Sequence, residues 1–254
     1  MEKFSFRFLN TGFHDCYYNM GLDEALLEGI AAGGNPVLRF YGWTPPAVSV
    51  GYFQGLAEEV DLDACKRFGF DVVRRISGGG AVLHKSELTY SIIMGLDHPL
   101  AGAPLEESYR IICGGIILGL KKLGAGASFS GINDIVAGGR KISGNAQTRR
   151  RSSLLQHGTV LLDDDTDLMF QVLKVPPEKT GGSLVKETAG RVTSLRSLLD
   201  REVSFEEAAA ALGSGFAKAL NLEYGETGIL PQEEARARSL AAEKFSTREW
   251  LFKR

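Results

Sequence analysis

The sequence predicts an α+β fold with a mixed, largely antiparallel sheet and flanking helices. Short strand-like runs are separated by tight turns, and helical patterns stand irregularly between them, so βαβ alternation is not sustained. The 254 residues are 44% hydrophobic and 24% charged, which suits a globular chain with a sizeable core. No Ser/Pro-rich linker or internal repeat divides them. We therefore expect residues 1–254 to form a single domain, with a helical C-terminal part from about 201 to 254.

The N-terminal half alternates between short strands and helices. Apolar residues at helical spacing predict a first helix, Tyr18–Gly29, which ends before a Gly-Gly-Asn-Pro turn. A second, shorter helix is predicted at Leu62–Phe68. β-Branched and aromatic runs predict strands, and a Pro-Pro turn separates the first two of them. The predicted strands are Val37–Trp43, Val48–Phe53, Phe70–Val73 and Leu88–Met94.

The C-terminal half contains the strongest helical pattern of the chain. Leu105–Leu123 carries apolar side chains at i, i+3 and i+4 spacing, which is typical of a helix packed on a core. From Ser128 to Asp163, short strands punctuated by glycine predict antiparallel hairpins. A capping box formed by Ser204 and Glu207 marks the start of a later helix. The remaining helices are predicted at Thr166–Leu173, Phe205–Leu220 and Gln232–Phe245.

Charge and cysteine content argue against several classes of protein. The net charge is −2 and the pI is near 6.1, so no global positive field favours nucleic acid as a partner. The sequence shows neither a signal-peptide pattern nor an apolar run of roughly 20 residues, so we expect a cytoplasmic protein without a membrane partner. Its three cysteines lack a C-x-x-C spacing, and its four histidines form no His/Cys cluster. We therefore expect neither a disulfide framework nor a metal site built from protein ligands alone.

The segment Arg74–Ser86 combines two adjacent arginines, three consecutive glycines and His84 between two predicted strands. Glycine backbones approach a ligand closely and can turn their N–H groups toward one anion, and arginine donates charge-assisted hydrogen bonds to phosphate or carboxylate. The segment therefore has the chemistry of an anion-binding loop. The alternative is a glycine-rich turn with a solvated arginine pair. A Walker A loop is rejected because His84 replaces its second glycine and a strand follows instead of a helix.

Two further segments place polar side chains on predicted hairpin strands. Lys141 follows a glycine-rich turn and would supply a compact positive charge beside a carboxylate or phosphate, whereas the alternative is a solvated surface lysine. His157 stands in the apolar run Leu154–Leu162, and its alternative role is a hydrogen-bonded core histidine. Neither residue identifies a function by itself.

Taken in order, the three segments resemble one known family. RRISGGGAVLH, NDI…GRKISGNAQ and QHGTVLL follow one another as in the catalytic domain of lipoate-protein ligases and the related octanoyltransferases. The flanking stretches NMGLDEAL, PVLRFYGW, SVGYFQ and KFSTREW extend the resemblance over most of the chain. The resemblance implies a biotin/lipoate ligase-like α+β fold, related to the catalytic domains of class II synthetases.

The resemblance also implies a reaction and a set of site residues. Such a ligase activates lipoate or octanoate with ATP and Mg²⁺ as an acyl-adenylate, and then transfers the acyl group to a lysine of a lipoyl carrier domain. The carrier would belong to a 2-oxoacid dehydrogenase or would be the glycine cleavage H protein. By resemblance, Lys141 is catalytic and bridges the acyl carbonyl and the α-phosphate, while His157 and Ser143 lie on the acyl or carrier side. The expected acyl-adenylate and ATP contacts are Arg74, Arg75, Ser77, Gly78, Gly79, Gly80, His84, Asn133 and Asp134.

Octanoyltransferases of this superfamily carry the acyl group on a cysteine, and this chain departs from both of their patterns. One branch has a Cys-Phe-x-x-Pro-Ser segment where this chain reads Ser128–Ile132, and another places the cysteine where Ser143 stands. The missing thiol favours an ATP-dependent ligase. Leu88–Ser91 is closer to the transferase pattern, so octanoyl transfer from an acyl carrier protein is the second interpretation. A non-catalytic acyl-adenylate-binding module is the third.

Two expectations concern parts outside the core of the resemblance. Many bacterial ligases carry an accessory C-terminal domain beyond the position where this chain ends. We expect that domain to be absent here, and either to be replaced by a separate accessory subunit or not to be needed. The segment Lys174–Lys186, rich in proline and glycine, is predicted to close over the reaction intermediate.

Overall fold

The structure is a computed structural model that describes residues 3–174 and 190–253. Its strands form one eight-stranded sheet and one three-stranded sheet. In chain order the strands are β1 Phe4–His14, β2 Val37–Trp43, β3 Ala47–Val50, β4 Asp71–Arg74, β5 Val82–His84, β6 Glu87–Gly95, β7 Ala127–Ser130, β8 Asp134–Ala137, β9 Arg140–Arg150, β10 Ser153–Leu161 and β11 Leu222–Glu226.

The large sheet is mixed and mainly antiparallel. Its strand order is β11-β1-β2-β6-β10-β9-β8-β7. The pairs β11-β1 and β1-β2 are parallel, and the other pairs are antiparallel. The small sheet has the order β4-β3-β5, with β3 parallel to β4 and antiparallel to β5. The predicted α+β class with a largely antiparallel sheet is therefore confirmed. The predicted hairpins between residues 128 and 163 correspond to β7, β8, β9 and β10.

Helices cover both faces of the large sheet. None of those in the described ranges has the length and apolar character that crossing a bilayer requires. The helices are α1 Cys16–Ala31, α2 Leu56–Glu59, α3 Leu62–Phe68, α4 Leu105–Lys122, α5 Thr166–Val172, α6 Leu195–Leu199, α7 Phe205–Leu220, α8 Pro231–Leu240 and α9 Arg248–Leu251, with a π-helical turn at Ala241–Phe245 after α8.

The two faces of β6 join two different apolar cores. Tyr90 and Ile92 pack with α4 and α7 on one face, whereas Ile93 packs with α1 and α8 on the other. Although β6 is buried on both faces, Glu87, Thr89 and Ser91 alternate with apolar residues in its first half, and their side chains are hydrogen-bonded in the interior. Helices α4 and α7 approach closely at Gly119, where a Cβ would lie 2.7 Å from the Leu212 Cα. Gly119 therefore serves helix packing.

Three local differences from the sequence prediction have physical causes. Strand β1 was missed because Asn10-Thr11-Gly12 interrupts its strand pattern, at the point where its register with β2 shifts. Strand β3 ends at Val50, short of the predicted Phe53, because the next carbonyls turn toward a buried arginine described below. Helix α1 begins at Cys16, where the Asp15 side chain accepts the Tyr18 N–H at 2.8 Å.

A buried ion pair joins α1 to the centre of the large sheet. Arg39 of β2 donates to the Asp23 Oδ1 at 2.7 Å, and both side chains are at most 2% exposed. Arg39 also donates to the backbone carbonyl and the side-chain oxygen of Asn19, one helical turn before Asp23. Tyr41 and Ser91 donate to the other Asp23 oxygen. The carboxylate is therefore bound by a cation and by neutral donors in a site without solvent.

Substitution of Arg39 by methionine tests how much the fold depends on this pair. We expect the variant to lose about 3–5 kcal/mol of unfolding free energy, because Asp23 stays buried without its cation. Urea unfolding measures the loss. The matched control is Arg110→Met, which removes an exposed arginine paired with Glu106 and should change stability little. Equal effects of the two substitutions would contradict a structural role for the buried pair.

Candidate active site

A pocket of about 140 Å³ lies between the glycine loop, defined here as Ser77–Ala81, and strands β9 and β10. It contains side chains or backbone from all three polar segments that the sequence singled out. The predicted site residues that line it are Arg75, Gly79, Gly80, His84, Asn133, Lys141 and His157. The anion-binding loop and the strand lysine thus meet at one place.

Lys141 reaches the pocket because of a β-bulge. Val136 of β8 pairs with Lys141, whereas the preceding Ile135 pairs with Ser143, so Ile142 is an extra residue on β9. The bulge breaks the alternation of β9 and directs Lys141 to the side that Gly144 and Ala146 also line. The Lys141 Nζ lies 2.8 Å from the Asp134 Oδ1, and the lysine side chain is 43% exposed. The charge is accessible and has a partner that a ligand can replace.

The Lys141 side chain leaves little room for a side chain at position 144, and the neighbouring Ser143 faces away from the pocket. A Cβ on Gly144 would lie 3.0 Å from the Lys141 Nζ, so the lysine side chain lies across this glycine. Ser143 is buried, does not line the pocket, and accepts the Asn145 Nδ2 at 3.3 Å. The sequence had placed Ser143 on the acyl or carrier side, but the bulge turns its side chain into the interior.

Arg75 holds the glycine loop. Its Nη1 donates to the Ser49 carbonyl at 3.1 Å and to the Ser49 Oγ at 2.6 Å. Its Nη2 donates to the carbonyls of Gly78 and Gly80 at 3.1 and 2.9 Å. These bonds use four of the five N–H donors of a guanidinium. Burial lowers the pKa of Arg75 to about 10. Arg75 therefore lines the pocket, and its main role there is to hold the backbone of the glycine loop in place.

Arg74 points to the opposite side of strand β4, as adjacent strand residues do. Its Nη1 donates to the carbonyls of Gly51 and Gln54 at 2.9 and 2.7 Å, and its Nε and Nη2 donate to the Leu251 carbonyl of α9. Arg74 does not line the pocket. The two predicted arginines therefore have different roles. Arg75 binds the glycine loop and lines the pocket, whereas Arg74 binds the C-terminal helix α9 and does not line the pocket.

His157 is fixed between a serine and a carboxylate. The Ser77 Oγ lies 2.6 Å from the His157 Nε2, and the His157 Nδ1 lies 3.2 Å from the Asp23 Oδ2. Burial would raise the pKa of Asp23, but Arg39 and the His157 hydrogen bond hold it below its ordinary value. Burial lowers the pKa of His157, and Asp23 opposes that shift. A neutral ring with its proton on Nδ1 satisfies both contacts, and Ser77 then donates to Nε2.

His84, like His157, is held between a serine hydroxyl and a carboxylate, on the other side of the pocket. Its Nε2 lies 2.6 Å from the Ser49 Oγ, and its Nδ1 lies 2.5 Å from the Glu87 Oε1. Its ring stacks on Trp43, with centroids 3.9 Å apart and planes 16° apart. Neither pocket histidine has a ring nitrogen free for a ligand.

The predicted Asn-Asp pair divides between the pocket wall and its edge. Asn133 lines the pocket, and its side chain donates to the Asn145 carbonyl. The Asn145 Nδ2 donates back to the Asn133 carbonyl at 2.8 Å, while the Asn145 Oδ1 accepts the Tyr90 hydroxyl at 2.7 Å. Asp134 does not line the pocket but pairs with Lys141, which does. Asn145 thus locks β8 and β9 to the core.

Sequence reasoning missed several pocket residues and the network below them. Asn19 and Asp23 stand four residues apart and so share one face of the first helix with apolar residues, and this spacing of polar groups was the available signal. Asn145 lies within the SGNAQ motif but had been given no role. The pocket residues without a predicted role are Met20, Tyr41, Trp43, Ala81, Val82, Thr89, Gly144, Asn145, Ala146, Gly158 and Thr159.

All three cysteines of the chain are buried, and none lines the pocket. Burial raises the pKa of Cys16 well above its ordinary value, that of Cys65 to about 11 and that of Cys113 to about 12. These thiols lack the accessibility and the lowered pKa of a nucleophile. In the described ranges, no group of three or more His, Cys, Asp or Glu side chains is placed to hold a metal ion. Nearly all of the predicted closing segment, Lys174–Lys186, lies outside the described residues.

The neutral state of buried His157 predicts how stability depends on pH. The free energy of unfolding should fall as the pH drops through about 6.5, because the unfolded chain binds a proton that folded His157 does not. Burial also lowers the pKa of His98, which acts in the same direction. Urea unfolding from about pH 8 to about pH 5 measures the slope. His157→Gln should give a shallower slope than the wild type, and an unchanged slope would contradict a neutral His157.

Comparison with known proteins identifies the family. Residues 15–217 match the model of the lipoyl protein ligase A/B catalytic domain. Octanoyltransferase LipM of Geobacillus kaustophilus (strain HTA426) is 38% identical and that of Bacillus subtilis (strain 168) 34% identical, each over 100% of both chains.

Solved structures of lipoate-protein ligases are similar to this chain over nearly its whole length. A bi-partite lipoate protein ligase of Thermoplasma acidophilum, studied with its E2 lipoyl domain, has a TM-score of 0.88 at 33% identity over 98% of this chain and 96% of that chain. A lipoate-protein ligase A bound with ATP has a TM-score of 0.84 at 32% identity over 99% of both chains. The chain therefore belongs to the lipoyl protein ligase A/B family.

Proposed function

We propose that this protein activates lipoate or octanoate with ATP and transfers the acyl group to a lysine of a lipoyl carrier domain. One observation carries the proposal: Lys141 and the glycine loop line a single pocket, and no thiol lines it. A pocket with an accessible ammonium beside glycine N–H groups suits an acyl-adenylate, whose phosphate is anionic. The same placement of Lys141 argues against a non-catalytic binding module.

The chemistry of the chain and the names of its relatives favour different acyl donors. The curated relatives are octanoyltransferases, which supports octanoyl transfer from an acyl carrier protein as the second candidate. The solved neighbours are lipoate ligases, one of them bound with ATP. A thioester intermediate needs an accessible cysteine, and Cys16, Cys65 and Cys113 are all buried away from the pocket. We therefore place the ATP-dependent reaction first.

The residues present suit a nucleotide substrate. Lys141 offers an ammonium to a phosphate oxygen, and the glycine loop offers backbone N–H groups. Magnesium commonly binds through one or two carboxylates together with substrate phosphates, and Asp134, at the pocket edge, provides one such carboxylate. A bound Mg²⁺ would neutralise phosphate charge there. The protein's own part is to hold the carboxylic acid and the phosphate in contact.

The proposed reaction has two steps. A carboxylate oxygen of the fatty acid attacks the α-phosphorus of ATP, the bond to the β-phosphate oxygen breaks, and pyrophosphate leaves. The neutral ε-amine of the carrier lysine then attacks the acyl carbon, the bond to the phosphate oxygen breaks, AMP leaves and the amide nitrogen loses a proton. Lys141 stabilises the negative charge that grows on the acyl and phosphate oxygens. His84 and His157 hold the pocket walls, because both of their ring nitrogens are already hydrogen-bonded.

The partners follow from the same proposal. The Thermoplasma lipoate protein ligase is bi-partite and is described together with its E2 lipoyl domain as an archaeal lipoylation system. We infer that this chain modifies lipoyl carrier domains of 2-oxoacid dehydrogenases or the glycine cleavage H protein. We also infer that residues 1–254 form one catalytic unit, which works either with a separate accessory subunit or without one. Three buried thiols are compatible with work in the reducing cytoplasm.

Replacing Lys141 by alanine should lower the rate of acyl transfer about 10²- to 10³-fold, because the pocket then lacks its accessible cation. The measurement is acylation of apo carrier domain, followed by mass spectrometry. Stability should change little, since the Lys141–Asp134 pair is largely exposed. The control, Lys121→Ala, removes an exposed lysine of α4 and should leave the rate unchanged. A Lys141→Ala protein with the wild-type rate would overturn the catalytic assignment.

A comparison of acyl donors separates the two candidate functions. The wild-type protein should release pyrophosphate when given lipoate or octanoate with ATP, and should then modify apo carrier domain. Octanoyl acyl carrier protein without ATP should give no product, because no pocket thiol accepts the acyl group. Transfer from octanoyl acyl carrier protein, with no pyrophosphate release from either acid, would reverse the order of the two candidates.

A further inference from the structure

A chain of four side chains runs beneath the pocket from Arg75 to Glu87. The Arg75 Nη1 donates to the Ser49 Oγ at 2.6 Å, and that oxygen lies 2.6 Å from the His84 Nε2. The His84 Nδ1 lies 2.5 Å from the Glu87 Oε1. All four residues are at most 5% exposed. Ser49 begins the flanking stretch SVGYFQ and Glu87 directly follows the segment Arg74–Ser86, but neither residue was predicted from the sequence to have a role in the site.

The direction of every hydrogen bond in this chain is fixed by its first member. A guanidinium can only donate, so the Ser49 oxygen accepts from Arg75; the buried Ser49 proton then needs an acceptor, and the His84 Nε2 is the contact of Ser49 that can accept it. That nitrogen must then be unprotonated, which puts the His84 proton on Nδ1, where the Glu87 carboxylate accepts it. Any other arrangement leaves a buried donor or acceptor without its partner.

The other end of the chain is the glycine loop itself. The Arg75 Nη2 draws the carbonyls of Gly78 and Gly80 toward the guanidinium. In a trans peptide unit the C=O and N–H groups point in opposite directions. The N–H groups of Gly79 and Ala81 therefore point away from Arg75, and Gly79 adopts the positive φ of +93° that this turn requires. The orientation of the loop N–H groups thus depends on the position of one guanidinium.

We propose that Ser49 and Glu87 are positioning residues for the glycine loop. Glu87 fixes His84, His84 orients the Ser49 hydroxyl, and that hydroxyl holds the Arg75 guanidinium, which orients the loop N–H groups for the anionic group of the substrate. This inference rests on the proposed function, in which that group is a phosphate. The Glu87 carboxylate is not placed for stability alone, because its Oε2 has no hydrogen-bond partner among the described residues. Its charge is compensated through the chain to Arg75.

The first test is Ser49→Ala, which breaks the chain between His84 and Arg75. We expect the KM for ATP to rise about tenfold, as for loss of a hydrogen bond to a charged group. The kcat should stay within about threefold, because Lys141 is untouched. The matched control is Ser153→Ala, which removes a buried hydroxyl that has no partner among the described residues and should leave KM unchanged. Equal KM values for the two variants would overturn the proposal.

A second variant guards against a general folding defect. Glu87→Gln keeps the side-chain shape but removes the charge, so it should raise KM in the same direction as Ser49→Ala. Because Glu87 reaches Arg75 only through His84 and Ser49 in this chain, the double variant should be no worse than the more damaging single one. Effects on KM that multiply in the double variant would contradict a shared chain.

A measurement on the protein without substrate separates this inference from the proposed function. The backbone amide resonances of Gly79 and Ala81 should shift in Ser49→Ala and stay in place in Ser153→Ala, whichever donor the enzyme uses. Unchanged resonances of these two amides in Ser49→Ala would refute the positioning role. A wild-type protein that uses no ATP would refute the proposed donor, while the resonances still decide whether Ser49 positions the loop.

Discussion

The buried Arg75 guanidinium is the interaction on which the site depends. It gives four of its N–H bonds to Ser49, Gly78 and Gly80, and so converts an otherwise pliable glycine run into a loop with defined peptide orientations. Because its donors are used internally, Lys141 is the cation among the described pocket residues that remains available to a ligand. Arg75, which is buried, therefore shapes the loop, while Lys141, which is partly exposed and can exchange Asp134 for a ligand, supplies the charge.

Both pocket histidines follow one design, in which a ring bridges a serine and a buried carboxylate. Ser77 and Asp23 hold His157, whereas Ser49 and Glu87 hold His84. The carboxylates fix which ring nitrogen carries the proton, so the walls of the pocket present set dipoles before any substrate arrives. Such preorganisation lowers the reorganisation that the reaction requires. Because both ring nitrogens of each histidine are hydrogen-bonded, neither histidine is free to act as a base, and charge stabilisation is left as the main chemical contribution of the site.

The sequence was sufficient for the fold class, and it singled out residues that meet at one pocket, because glycine, lysine and histidine stand out in apolar strands. It could not separate Arg74 from Arg75, since only the end of β4 decides which neighbour faces the pocket. It could not place Lys141 and Ser143 either, because a period-two pattern does not reveal the bulge at Ile142. Asp23 stayed hidden since its partners Arg39, Tyr41 and Ser91 come from strands distant in sequence.

The central claim is that the pocket binds an acyl-adenylate with Lys141 on the anion and Arg75 on the loop. A crystal structure with a non-hydrolysable acyl-adenylate analogue tests it most directly. The account predicts the Lys141 Nζ at about 3 Å from the anionic group of the analogue, with Arg75 still bound to the Gly78 and Gly80 carbonyls. An analogue bound by an Arg75 that has left those carbonyls, with Lys141 still paired to Asp134, would contradict it.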